Sequence, residues 1–209
     1  MAIINRTERT LAIKVVYYGP EGSGKETNLT QLHQLLAPEM GKKGPLVSLP
    51  TGKSRTLSFN FTPAEEFHPE WKTTFNIWTL TGRVLYDHTR QLVLRGVDAI
   101  VFVAESQESR WMENQDTWQN LKENLKVLQK ELPRIPVVLQ CNKCELTLPS
   151  KIPALERLLD PDGFLHQRGS GWVSLQAIAN RGSGVIETFD QVKRLIIEKY
   201  VRKPEEVTV

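Results

Sequence analysis

The sequence predicts an α/β fold, a mostly parallel sheet of six strands with helices on both faces and one antiparallel hairpin strand. Three observations carry that expectation. The short run Ile13 to Tyr18 leads straight into Gly19-Pro20-Glu21-Gly22-Ser23-Gly24-Lys25-Glu26, and Leu29, Leu32, Leu35 and Leu36 follow at helical spacing. Strand, glycine loop and helix in that order make a phosphate-binding unit. Ala99 to Ala104 and Pro136 to Gln140 read as strands buried on both faces, with an amphipathic stretch between them, as in a parallel sheet. Leu57, Phe59 and Phe61 alternate with polar residues, and so do Phe75 and Ile77 a short connection later, which reads as a hairpin.

Taken in order, residues Met1 to Thr10 are a lead-in that either adds a strand or frays. Pro38 to Lys53 is rich in Gly, Pro and Lys and is expected to be a loop. Thr62 to Glu70, with Pro63 and Pro69, is a turn, and Tyr86 to Leu94 a helix. Trp118, Leu121, Leu125 and Leu128 stripe a long helix that stops before Pro133. Ile152 to Leu159 is a short helix, Trp172 to Leu175 a last strand, and Val185, Phe189, Val192, Ile196 and Tyr200 line a terminal helix. No repeat or second domain breaks the pattern, so one domain is expected over 1–209, with a flexible tail at 202–209. Trp111, Trp118 and the turn from Thr62 to Trp71 are candidates for a partner-facing surface.

Composition excludes several classes of function. At 209 residues, 40% hydrophobic and 24% charged, the chain has the make-up of a globule with a sizeable core. A net charge of +3, with no basic run interleaved with aromatics, argues against nucleic acid. The longest apolar run, Ala99 to Ala104, is far short of a membrane span. Ala2 replaces the glycine that myristoylation needs, and the last residues hold no cysteine to prenylate. No secretory signal is read, and the cytoplasm is the expected compartment. Cys141 and Cys144 are spaced C-x-x-C, but Asn142 and Lys143 between them belong to another motif, and the four histidines are scattered singly. Neither a redox pair nor a zinc site is expected.

The glycine loop matches G-x-x-x-x-G-K-[ST] at every fixed position except the last, where Glu26 stands in place of the hydroxyl that holds Mg²⁺. In such loops backbone N–H groups curl around the phosphates and the lysine neutralises the outer ones. Asn142-Lys143-Cys144-Glu145 is close to N-K-x-D, whose aspartate accepts from guanine N1 and N2. Glu145 offers the same two oxygens on a longer stem, and bidentate recognition is geometrically strict. Gln176-Ala177, after the next strand, are placed to cap the base with the alanine N–H.

Together these stretches resemble the bacterial Ras-like GTPases of the MglA type, named for gliding motility. The resemblance runs from about Ile13 to Ile197. It includes Thr27-Asn28-Leu29 after the loop, Val47 to Leu57 as switch I, Thr79 to Tyr86 as switch II, and Leu94 to Asp98 through Ser106-Gln107. It implies a Ras-like P-loop G domain binding GTP or GDP with Mg²⁺. It also implies a cell-polarity switch whose partners are polar effectors and a roadblock-type MglB dimer. On that resemblance Gly19, Glu21, Gly22, Ser23, Gly24, Lys25, Glu26, Thr27, Thr56, Gly82, Asn142, Lys143, Glu145, Gln176 and Ala177 form the nucleotide site. Glu26 and Thr56 are the candidate metal ligands, and Arg55 and Arg83 the candidate catalytic positions.

The departures set the functional expectation. Arg83 stands where the resemblance implies the water-orienting glutamine, and arginine carries donors only. Thr81 stands for a proline, and Thr79 for the aspartate of most Ras-like proteins, the latter exchange shared with the MglA type. Glu26 either ligates a displaced Mg²⁺ or pairs with Lys25 as a built-in anion. The expected function is a switch acting by partner binding, with weakened nucleotide binding and little hydrolysis. The alternative is a working GTPase completed by Arg55 and its partner. A nucleotide kinase would need an arginine-rich lid, and none is seen.

Overall fold

The structure is a computed structural model that describes residues 3–5, 9–51, 54–65, 72–80 and 87–200. Thr81, Gly82 and Arg83, the ends of the chain and most of the turn before Trp71 lie outside them. The first half of the chain forms β1 (Ile3–Asn5), β2 (Thr10–Tyr18), α1 (Lys25–Leu35), β3 (Gly41–Lys43), β4 (Val47–Thr51), β5 (Ser54–Pro63) and β6 (Lys72–Thr79). The second forms α2 (Asp87–Leu94), β7 (Ala99–Glu105), α3 (Trp111–Val127), β8 (Val137–Asn142), α4 (Ile152–Leu159), β9 (Trp172–Ala177) and α5 (Val185–Tyr200).

One mixed sheet runs β3-β5-β6-β2-β7-β8-β9, with β1 paired to the start of β2 and β4 to β5. All six expected strands are present. The β5–β6 pair is the antiparallel hairpin, in register Phe59↔Ile77 and Phe61↔Phe75, and β2 runs parallel to β6 and β7. That central position explains its composition. Ile13, Val15 and Tyr17 feed one core layer, packed with Leu29 and Leu32 of α1 and Phe189 and Val192 of α5. Val16 and Tyr18 feed the other, with Leu121 and Leu125 of α3 and Leu155 of α4. Period-2 side chains on a strand covered from both sides leave no polar face.

Two short strands, β3 and β4, exceed the expectation among the described residues. The lead-in adds β1, Ile3 opposite Ala12. The stretch 38–53, expected as a loop, contains β3 and β4 after a 3₁₀ turn at Pro38–Met40. Its glycines and prolines signal loop, yet both strands lie on the free side of β5, where proline is tolerated because the outward N–H has no ladder partner to lose. Pro50, opposite Arg55, sits in such a position. A second correction concerns Trp118. It is a core residue, 6% exposed, edge-on to Phe102 at 4.7 Å and to Trp172 at 5.7 Å. Trp111 is half-buried, its indole N–H donating to the Ser106 carbonyl at 3.1 Å. Neither is a free partner-facing ring.

Phe189 closes the first layer, edge-on to Phe61 at 5.8 Å and to Phe75 at 5.3 Å across the hairpin. Phe189→Ala is expected to cost about 3–5 kcal/mol, measured by urea denaturation. A loss of about 1 kcal/mol or less would mean the layer collapses onto the cavity.

Candidate functional site

The phosphate loop joins β2 to α1 at the carboxyl end of the sheet, beside the ends of β7 and β8. Strand order reverses there, and open α/β sheets hold their ligands at such points. Two of its glycines are dictated by crowding. Gly19 has φ +148° and a Cβ on it would strike the Val103 carbonyl. Gly24 has φ +99° and a Cβ would strike the Asn142 amide nitrogen. The Ser23 hydroxyl is fully buried and bonds to nothing among the described residues.

Lys25 is 5% exposed, and its ammonium donates to the Pro20 carbonyl at 2.6 Å, across the loop it belongs to. Burial pulls its pKa down to about 7; the nearby Arg90 charge adds to that push, and Glu26 and Glu21 oppose it. Glu26 does not pair with Lys25. Its carboxylate, half in water, lies 3.8 Å from the guanidinium of Arg55. Both line a cleft of about 430 Å³ between α1 and the β4–β5 strands, together with Thr27, Thr30, Ser48 and Leu57. Of the two fates expected for Glu26, the pair with Lys25 is replaced by one with switch I.

Arg55 and Thr56 are neighbours in β5 and therefore face opposite sides of the sheet. Arg55 shares its face with Leu57 and opens onto the cleft. Thr56 points away from it, 3% exposed, its hydroxyl without a partner among the described residues. The two expected metal ligands, Glu26 and Thr56, are thus not brought together in this conformation. Thr79 closes the hairpin: its hydroxyl accepts the Leu57 N–H at 2.8 Å.

The base loop is tied to the phosphate loop by one side chain. The buried Asn142 amide donates to the Ser23 carbonyl at 2.8 Å and accepts the Ala179 N–H at 3.0 Å. Lys143, left-handed at φ 61°, has its ammonium 3.0 Å from Glu105. Glu145 follows, exposed, in the 3₁₀ turn Cys144–Leu146. Gln176 and Ala177 end β9 rather than following it, and the amide that meets Asn142 belongs to Ala179, two residues further along the chain. Both cysteines are free thiols, Cys144 donating to the Cys141 carbonyl at 3.0 Å. Glu105 and Arg110, which flank the loops, belong to no motif: Arg110 donates to the Glu21 carbonyl at 2.8 Å. Only their closeness to Ser106-Gln107 pointed to them.

No family model matches the chain. It is 37% identical over 198 residues to the mutual gliding-motility protein MglA of Myxococcus xanthus, covering 94% of this chain and 96% of that protein. It is 21% identical over 192 residues to the Ypt/Rab-type GTPase ypt71 of Schizosaccharomyces pombe, covering 91% and 84%. Among solved structures it is similar to the Arl6 BBS3 small GTPase of Trypanosoma brucei with bound GppNp. The TM-score there is 0.59 at 17% identity, over 90% of this chain and 99% of that one, which bears on the fold alone.

The lowered lysine has a stability signature. The unfolded side chain titrates near 10.5 and the buried one near 7, so between those values the unfolded state binds more protons. Stability attributable to Lys25 therefore rises with pH across that window, by about 1.4 kcal/mol per pH unit at most. Urea denaturation of wild type and Lys25→Met at about pH 6 and about pH 9 checks this. The wild type should gain on the variant at the higher pH, and a constant difference rejects a neutral-leaning lysine.

Proposed function

The chain belongs to the MglA-type family of bacterial Ras-like GTPases, and from that premise we propose that it is a polarity and motility switch working by partner binding, with weakened guanine-nucleotide binding and little or no intrinsic GTP hydrolysis. The carrying observation is Glu26. The metal-holding hydroxyl is absent, and the carboxylate in its place lies against Arg55.

The cradle itself suits phosphate. Left-handed glycines, an unpartnered Ser23 hydroxyl and a lysine folded into the loop are what a phosphate chain would engage. Gly19, Glu21, Gly22, Ser23, Gly24, Lys25 and Thr27 would hold the phosphates, and Asn142, Lys143, Glu145, Gln176 and Ala177 the base end. Mg²⁺ would neutralise the outer phosphates. The donors do not fit it as well: Glu26 is engaged by Arg55, and Thr56 faces the other side of β5. A carboxylate also repels phosphate where a hydroxyl does not, which weakens rather than abolishes binding. Arg83, outside the described residues, has no acceptor with which to orient a water.

Partners in this reading are a roadblock-type MglB-like dimer and polar effectors, met at switch I. The protein would act in the cytoplasm as one G domain, recruited to a cell pole. Among the described residues no helix is long and apolar enough to cross a membrane. One observation favours the second reading, an active GTPase using Arg55: that guanidinium already lies beside the first turn of α1, on the cleft.

Titration with fluorescent GDP and GTP, with and without Mg²⁺, tests the proposal. Binding should be weak and barely responsive to Mg²⁺, and Glu26→Thr should restore a Mg²⁺-dependent gain of about tenfold or more, the scale on which metal-site support acts. Micromolar, Mg²⁺-dependent binding followed by phosphate release, lost in Arg55→Ala, would establish the second reading instead.

A further inference from the structure

Glu105 ends β7 with its side chain almost wholly buried, 4% exposed, yet two cations reach it. Lys143 of the base loop approaches Oε2 to 3.0 Å, and Arg110 approaches the same oxygen to 3.6 Å. The Glu105 backbone cannot drift toward either. Asn114, fully buried on α3, accepts its N–H at 3.0 Å and donates to its carbonyl at 2.8 Å. One carboxylate on a fixed stem is thus divided between two partners.

Arg110 carries that division to the phosphate loop. Its Nη1 donates to Glu113 at 2.7 Å and its Nη2 to the Glu21 carbonyl at 2.8 Å. A Cβ on Gly22 would stand 4.0 Å from the same Nη2, so the guanidinium lies along the loop. The guanidinium is a rigid planar fork, and a pull on one nitrogen reorients the others.

We propose that Glu105 is a shared carboxylate coupling the base loop to the phosphate loop, with Arg110 as the positioning residue that transmits the coupling. When Lys143 leaves Oε2, the carboxylate closes on Arg110 and the fork seats more firmly on Glu21. This deepens the reading given above, since a guanine base is the ligand that would draw Lys143 away. The coupling itself exists in the free protein and is tested there.

The experiment is amide hydrogen exchange on the free wild type and on Arg110→Ala, Arg110→Lys, Glu105→Gln and Lys143→Ala. Arg110→Ala should speed exchange at residues 21–24 by about tenfold or more and, because the freed carboxylate then serves Lys143 alone, slow it at residues 142–146. Arg110→Lys, which keeps the charge but loses the fork, should recover only part of the protection. Glu105→Gln should loosen both segments. Lys143→Ala should slow exchange at 21–24, a change of opposite sign that simple loss of a structural contact does not produce. The proposal is overturned if Arg110→Ala leaves 21–24 unchanged, if Glu105→Gln affects one segment only, or if Lys143→Ala fails to slow 21–24. Should Glu105→Gln also loosen β7 and β8 throughout, Glu105→Asp takes its place under the same criteria. Adding GDP to the wild type is a separate arm: no change at 142–146 counts against nucleotide binding and leaves the free-protein comparison standing.

Discussion

A single buried amide holds the site together. Asn142 bonds the Ser23 carbonyl at one end and the Ala179 N–H at the other, so it fixes the phosphate loop against the loop that ends β9. Both of its partners are backbone groups, and leaving either unmade would cost about 1–3 kcal/mol in a buried place. The fit also reaches back into the sequence. Gly24 is glycine because the Asn142 amide occupies the space where a Cβ would go. The glycine pattern is therefore partly a record of what packs on the loop, and it persists whether or not phosphate is bound.

Charge around the loop, by contrast, departs from the phosphate-loop motif at Glu26. Replacing a hydroxyl by the Glu26 carboxylate adds a negative charge next to the phosphate cradle, and Arg55 meets it from switch I. The pair is long and largely in water, so its own contribution to stability is small. It places opposite charges side by side on the lining of the cleft. Lys25, meanwhile, is drawn toward neutrality by burial. The shape of the cradle is thus set by backbone and packing, while its charge is set by Glu26, Arg55 and the burial of Lys25.

How far all this could be read from the sequence follows from the range of the interactions. The phosphate loop, the six principal strands and helices such as Ile152–Leu159 were legible because local periodicity and glycine spacing determine them. β3 and β4 were not, since their pairing with β5 is a tertiary fact that outweighs the loop signal of Gly41, Pro45 and Pro50. Trp118 at helical spacing fits both a core stripe and a surface patch, and only its packing on Phe102 decides between them. Asn142, Lys143 and Lys25 were found by motif. Glu105 and Arg110 belong to no motif and act through a backbone carbonyl of Glu21, which no side-chain pattern encodes.

The parity of β5 sets the last constraint. Consecutive strand residues cannot share a face, so with Arg55 on the cleft Thr56 must turn inward, where its hydroxyl goes unbonded. An unmade buried hydroxyl is unfavourable by about 1–3 kcal/mol, a cost the surrounding register carries. That register is held by Leu49↔Thr56, Phe59↔Ile77 and the Thr79 bond to the Leu57 N–H. Rotating a side chain cannot exchange the two residues. A one-residue change of register would, since it inverts every side chain on the strand. Leu57 and Phe59 would then leave the core layer they share with α1 and α5. Arginine on the cleft and threonine on the cleft are mutually exclusive states of one strand. In the state seen here, the cleft side of the strand is taken by Arg55, 3.8 Å from Glu26.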